Sequence, residues 1–66
     1  MKNSIKVERA RRDMTQQDLA DRLEVSRQTI NAIEKGKFNP STVLALKISD
    51  VFSMPVNDIF ELEQGD

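Results

Sequence analysis

Cysteine, histidine, tryptophan and tyrosine are all absent from this 66-residue chain. Without Cys and His there is no disulfide framework, no thiolate or imidazole to ligate zinc, and no Cys or His nucleophile. Carboxylates such as Asp18, Asp21 and Glu24 remain, but they fall on helical faces where solvation is their ordinary role. No enzymatic activity, metal, cofactor or small-molecule ligand is therefore expected. Long apolar runs are missing too. The longest stretch without a charge, Phe38 to Leu46, contains Asn39, Pro40, Ser41 and Thr42 and is too short and polar to span a bilayer or to act as a signal segment. A soluble, unexported, cytoplasmic protein is the expectation. There are only two glycines and two prolines, with no repeat, linker or low-complexity tract, so residues 1–66 read as one domain. A chain this short hides only roughly 60% of its unfolded surface, and its core must be economical.

The balance of charge is slightly acidic, at −1, which taken alone argues against a polyanionic partner. Its distribution says otherwise. Residues 1–40 hold nine basic side chains against six acidic ones, whereas residues 41–66 hold Lys47 against Asp50, Asp58, Glu61, Glu63 and Asp66. One end of the molecule can face phosphates while the other faces away.

Caps divide the chain into helices. Ser4 is the expected N-cap of a first helix running to about Arg12, with Ile5 inward, an end near Asp13 and Met14 turning back to the core. Thr15 and Asp18 form a capping box in its Asp variant, so a second helix starts at Gln16 and carries the stripe Leu19, Ala20 and Leu23. Ser26 caps a third helix, Arg27 to Lys35, and Gly36 supplies a left-handed stop. The apolar set Leu19, Ala20, Leu23, Val25, Ile30 and Ile33 fits no single straight helix, because the steps around Val25 break the 3.6-residue period. Two crossed helices satisfy it. Phe38 is expected to plug the core, and Ser41 to cap a fourth, central helix from Thr42 to Phe52 with the wide stripe Val43, Leu44, Leu46, Ile48, Val51 and Phe52. Pro55 opens a fifth, short turn to Ile59 and Phe60, and Glu61-Leu62-Glu63 then alternates like a strand that Met1–Asn3 can pair with. The fold class is thus all-α: a compact domain of four to five helices with a helix-turn-helix and a small terminal two-stranded β-ribbon.

The stretch QQDLADRLEVSRQTINAIEK, residues 16–35, resembles the helix-turn-helix of the phage repressor and Cro family, also called the XRE family, and the flanks from Ile5 to Phe60 resemble the rest of that domain. Gln16, Leu19, Ala20, Val25, Ser26, Ile30, Ile33 and Glu34 carry the signature in register. The resemblance implies a sequence-specific regulator of transcription that binds double-stranded DNA. A recognition helix enters the major groove only if it projects from the body, and the short helix before it, kept close by the small Ala20, braces that projection. Gln28, Arg27, Asn31 and Thr29 are the expected base readers: Gln28 suits adenine N6/N7, Arg27 suits guanine or phosphate, and Thr29 offers a methyl to thymine. Gln16, Gln17, Ser26, Lys35, Lys37 and Asn39 are the expected phosphate contacts. Arg9 and Glu34 stand where the family places a structural ion pair. The chain departs from the family at Glu24 and Asp13, where Gly is usual, and at Glu8, where an apolar residue is usual.

One such module buries roughly 600–1,000 Å² on DNA, small for a selective site, so a homodimer is expected. Met54, Val56, Ile59, Phe60 and Leu62 form an apolar tail that would provide its interface, making residues 54–66 a dimerisation segment. Such a dimer would repress or recruit by occupying a near-palindromic operator. Antitoxins and restriction-modification controllers share this pattern, and a protein-binding coactivator of the same fold, as among multiprotein bridging factors, is the alternative from another class.

Overall fold

The computed structural model describes residues 1–66 as β1 (Lys2–Asn3), α1 (Ile5–Arg11), α2 (Gln16–Leu23), α3 (Arg27–Glu34), α4 (Thr42–Phe52), α5 (Val56–Ile59) and β2 (Phe60–Glu61). β1 and β2 pair antiparallel, Lys2 opposite Glu61 and Asn3 opposite Phe60, so the two chain ends close over one another. Ten apolar residues, drawn from every helix and from β2, make the core: Ile5, Leu19, Ala20, Leu23, Ile30, Ile33, Ile48, Phe52, Ile59 and Phe60. Each fully buried aliphatic or aromatic side chain contributes about 1.5–3 kcal/mol against the entropy of ordering so short a chain. No helix is long and apolar enough to cross a membrane.

Three helices begin on hydroxyl caps, as their sequence dictates. The Thr15, Ser26 and Ser41 side chains accept from the backbone N–H groups of Asp18, Thr29 and Leu44, and at α2 the Asp18 carboxylate accepts in return from the Thr15 N–H. That N–H bond first, then the bond between the Asp18 and Thr15 groups and the nearby charge of Arg22, hold the Asp18 carboxyl below its ordinary value. A depressed folded-state value means that stability is present above the unfolded carboxylate range, about pH 4, and drains away as pH falls through the lower folded value. Asp18→Asn is expected to melt below the wild type at pH 7, with the gap closing below about pH 4; thermal melts across pH that keep a constant gap would contradict this.

At α1 the capping differs from expectation. Ser4 precedes the helix but its hydroxyl caps nothing and is buried without a partner, and Asn3 does the work instead, its Oδ1 accepting from the Ile5 N–H while its amide donates to the Ile33 carbonyl. Helix ends that lack glycine adopt its geometry: Asp13, Glu24 and Ser53 all have φ between 52° and 58°. For Glu24 this left-handed turn costs on the order of 1 kcal/mol, and it is what swings α3 across α2.

Two apolar expectations are corrected. Phe38 is not a core plug but half exposed, because the left-handed Gly36 and the Lys37 N–H bond to the Ala32 carbonyl reverse the chain and send residue 38 outward. α4 is not buried all round: Ile48 and Phe52 fill the core, but Val43 and Leu46 are 64% and 54% exposed. Glu8, at an apolar position of the family pattern, is buried and paired with Arg12 (2.8 Å) and Arg11 (3.3 Å). Arg12 then donates to the Phe52 carbonyl and lies over the Phe52 ring at 4.8 Å, so this cluster fastens α1 to the end of α4.

Candidate nucleic-acid interface

The two faces of α3 differ sharply. Ile30 and Ile33 are buried against α2 and the core, whereas Arg27 and Gln28, in its first turn, are exposed. Thr29 is half-buried, and its hydroxyl meets the Ser26 hydroxyl at 2.9 Å. The Ser26 oxygen also accepts from the Thr29 N–H, so Ser26 is first a cap, and its O–H is shared with the Thr29 hydroxyl.

Asn31 points not into open solvent but toward the start of α2. Its amide nitrogen donates to Gln16 Oε1 at 3.4 Å, and Gln16 Nε2 donates to Glu34 Oε1 at 3.2 Å. Glu34 is gripped by Arg9 through two bonds, Nε to Oε2 at 2.6 Å and Nη2 to Oε1 at 3.1 Å, while Arg9 Nη1 donates to the Met14 carbonyl. Both side chains of this ion pair are largely buried, at 12% and 7% exposure, and they tie α1 to the far end of α3.

Gln17 is exposed and donates to Asp21 one turn on. Lys35, Lys37 and Asn39 are exposed in the loop after α3. A shallow cleft of about 660 Å³ opens between α1 and the starts of α2 and α3, lined by Lys6, Arg9, Gln16, Gln17 and Arg27 among others. Of the three cations in this lining Arg9 is neutralised by Glu34, which leaves Lys6 and Arg27 beside the positive end of α2. Lys6 is absent from the sequence-derived set, although its spacing three residues before Arg9 on one helix face was the available signal.

The expected dimer residues are not one surface. Ile59 and Phe60 are core, at 2% and 7% exposure, because α5 folds back under the bundle; Met54 and Val56 pack partly against that core, and only Leu62, at 78%, stands free. Instead an apolar groove of about 380 Å³ lies between α4 and α5, its floor and walls made by Pro40, Ala45, Leu46, Val56 and the edge of Phe60.

Comparison with known proteins agrees with this geometry. The family model described as helix-turn-helix matches residues 5–59. An uncharacterized HTH-type transcriptional regulator of Methanocaldococcus jannaschii is 53% identical over 66 residues, the whole of both chains. Another, of Bacillus subtilis, is 50% identical over 64 residues, 97% of each chain, and one from Archaeoglobus fulgidus is 48% identical over 97% of this chain and 90% of its own. With its crossed α2 and α3, its capped turn at Glu24 and its exposed first turn of α3, the chain belongs to the XRE-type helix-turn-helix family of DNA-binding transcriptional regulators.

Proposed function

We propose that residues 1–66 form a single sequence-specific DNA-binding domain that acts as a homodimer and represses transcription by occupying a near-palindromic operator. The proposal rests above all on the first turn of α3, where Arg27 and Gln28 stand clear of the body on a helix whose opposite face is locked by Ile30 and Ile33. A helix held in this way enters the major groove N-terminus first. Gln28 then reads adenine, Arg27 reads guanine or a phosphate, Thr29 lends its methyl, and Asn31 contributes from the inner edge of the same face. Gln16 and Gln17 at the start of α2, with Lys6 beside them, take the backbone phosphates on one side; Ser26 adds its O–H, and Lys35, Lys37 and Asn39 take those on the other.

A second copy completes the site. One module covers too little DNA to be selective, and the groove beside Leu46 is the exposed apolar surface best placed to be covered by its own kind. It replaces the tail as the proposed interface, and of the tail residues Val56 and Phe60 line it. The two α3 helices would then meet successive major grooves about 34 Å apart.

Selection from a random DNA pool, followed by binding titrations, tests this. Gln28→Ala is expected to weaken binding by about tenfold or more on the selected site and to relax one base pair per half-site. Lys37→Ala should weaken all sequences alike and lower the salt slope by about one. A protein that retrieves no sequence, or a Gln28→Ala variant with unchanged preference, would sink the proposal.

A further inference from the structure

We propose that the Glu34 carboxylate, acting through Gln16, fixes which edge of Asn31 faces the DNA, and that Asn31 thereby selects adenine. This rests on α3 entering the major groove as proposed above. A carboxylate can only accept hydrogen bonds, and both Glu34 oxygens already accept from Arg9. Gln16 lies 3.2 Å from it and must therefore present its amide nitrogen; the reverse orientation would set a carbonyl oxygen against a carboxylate. Its own carbonyl oxygen is thus turned to Asn31, which must answer with an N–H across the longer 3.4 Å link. Polarity is passed along the chain Arg9, Glu34, Gln16, Asn31 by donor and acceptor chemistry alone.

What Asn31 has left is one carbonyl oxygen and one N–H, side by side and in a fixed order. Adenine presents the complement in the major groove, an N6 donor beside the N7 acceptor. Guanine presents two acceptors, so its O6 would oppose the Asn31 oxygen; cytosine offers only a donor, and thymine an acceptor and a methyl. Gln16 keeps a second N–H for a phosphate, so a single side chain joins backbone anchoring to base choice. Glu34 is accordingly a positioning residue for specificity as well as half of an ion pair.

Glu34→Gln is the direct test. The new side chain keeps its oxygen on Arg9 Nε, the shorter of the two Arg9 bonds, and gives up the longer one from Nη2; the N–H₂ that replaces Oε1 then draws the Gln16 carbonyl, and the order at Asn31 is reversed. In selection from a random pool, one base pair per half-site is expected to lose its adenine preference by about tenfold while the pair read by Gln28 keeps its own. A folded Glu34→Gln variant with wild-type preference at every pair overturns the proposal. If that variant fails to fold, Gln16→Met carries the same test: its adenine preference should collapse at that pair, whereas Gln17→Ala, outside the chain, should weaken all sequences equally. Retained discrimination in Gln16→Met overturns it. Side-chain amide exchange by NMR on the free protein reads the chain without DNA, with one Asn31 amide proton protected in the wild type and unprotected in Gln16→Met. Equal exchange also overturns it. A wild-type protein that selects no sequence would remove the base-selecting role together with the DNA reading, and the amide exchange would then show whether the chain itself stands.

Discussion

Replacing Arg9 with alanine will lower the unfolding free energy by about 3–5 kcal/mol, because it leaves a carboxylate that is 7% exposed with no cation beside it. A domain of this size has on the order of 3–10 kcal/mol in total, so the loss takes a large share of it. The same change frees the Met14 carbonyl, which receives the third Arg9 bond, and unfastens α1 from the end of α3. Denaturant unfolding should show a lower midpoint with an unchanged slope, and DNA affinity should fall in step with the folded fraction. An unchanged midpoint would mean that the pair is ornamental. A second measurement separates charge from packing: exchanging both members for apolar side chains, Arg9→Met with Glu34→Leu, should restore much of the stability, since a buried ion pair rarely exceeds a well-packed apolar pair. Restored folding without restored base preference would then isolate what the Glu34 carboxylate does for Gln16 and Asn31.

How much of this was legible in the sequence depended on the range of the interaction. The caps at Thr15, Ser26 and Ser41 are local, each a hydroxyl answering an N–H three residues on, and all three stand where the sequence placed them. The crossing of α2 and α3 was legible because Leu19, Leu23, Ile30 and Ile33 admit no single helix. The terminal ribbon was legible as an alternation in Glu61–Glu63, though it pairs at Phe60 and Glu61. Apolar periodicity, however, shows that a face is greasy without showing whose surface covers it. Phe38, Val43 and Leu46 were therefore assigned inward and lie outward, while Ile59 and Phe60 were assigned to a partner and fill the molecule's own core. Burial of Glu8 was hidden for a different reason: its pairing with Arg12 is a local contact one turn along α1, but the Phe52 carbonyl and ring that hold Arg12 over it come from another helix. The amide link between Gln16 and Asn31 was likewise out of reach, because it spans two helices whose crossing angle is set by the left-handed turn at Glu24.

Leu46→Glu will convert the protein to a monomer and, through that, reduce operator affinity by at least about a hundredfold. Leu46 is more than half exposed beside a groove lined by Pro40, Ala45 and Val56, so a charge there leaves the core of the single domain untouched. Melting at low protein concentration should consequently change little, which separates this variant from Arg9→Ala. In a dimer the same glutamate would be desolvated opposite its symmetry mate, and both the burial and the like charge oppose association. The DNA effect follows from valency. Two linked modules bind a second half-site at the effective concentration of their tether, and losing that link removes a factor of about 10²–10⁴ without altering one contact between α3 and its bases. Sedimentation and operator titration on the same samples decide the matter: the wild type should sediment as a dimer at micromolar concentration and the variant as a monomer, with half-site affinity and base preference equal in the two. A wild type that is already monomeric at micromolar concentration overturns the homodimer itself, and a variant that remains dimeric places the partner surface elsewhere and returns Leu46 to being an exposed leucine.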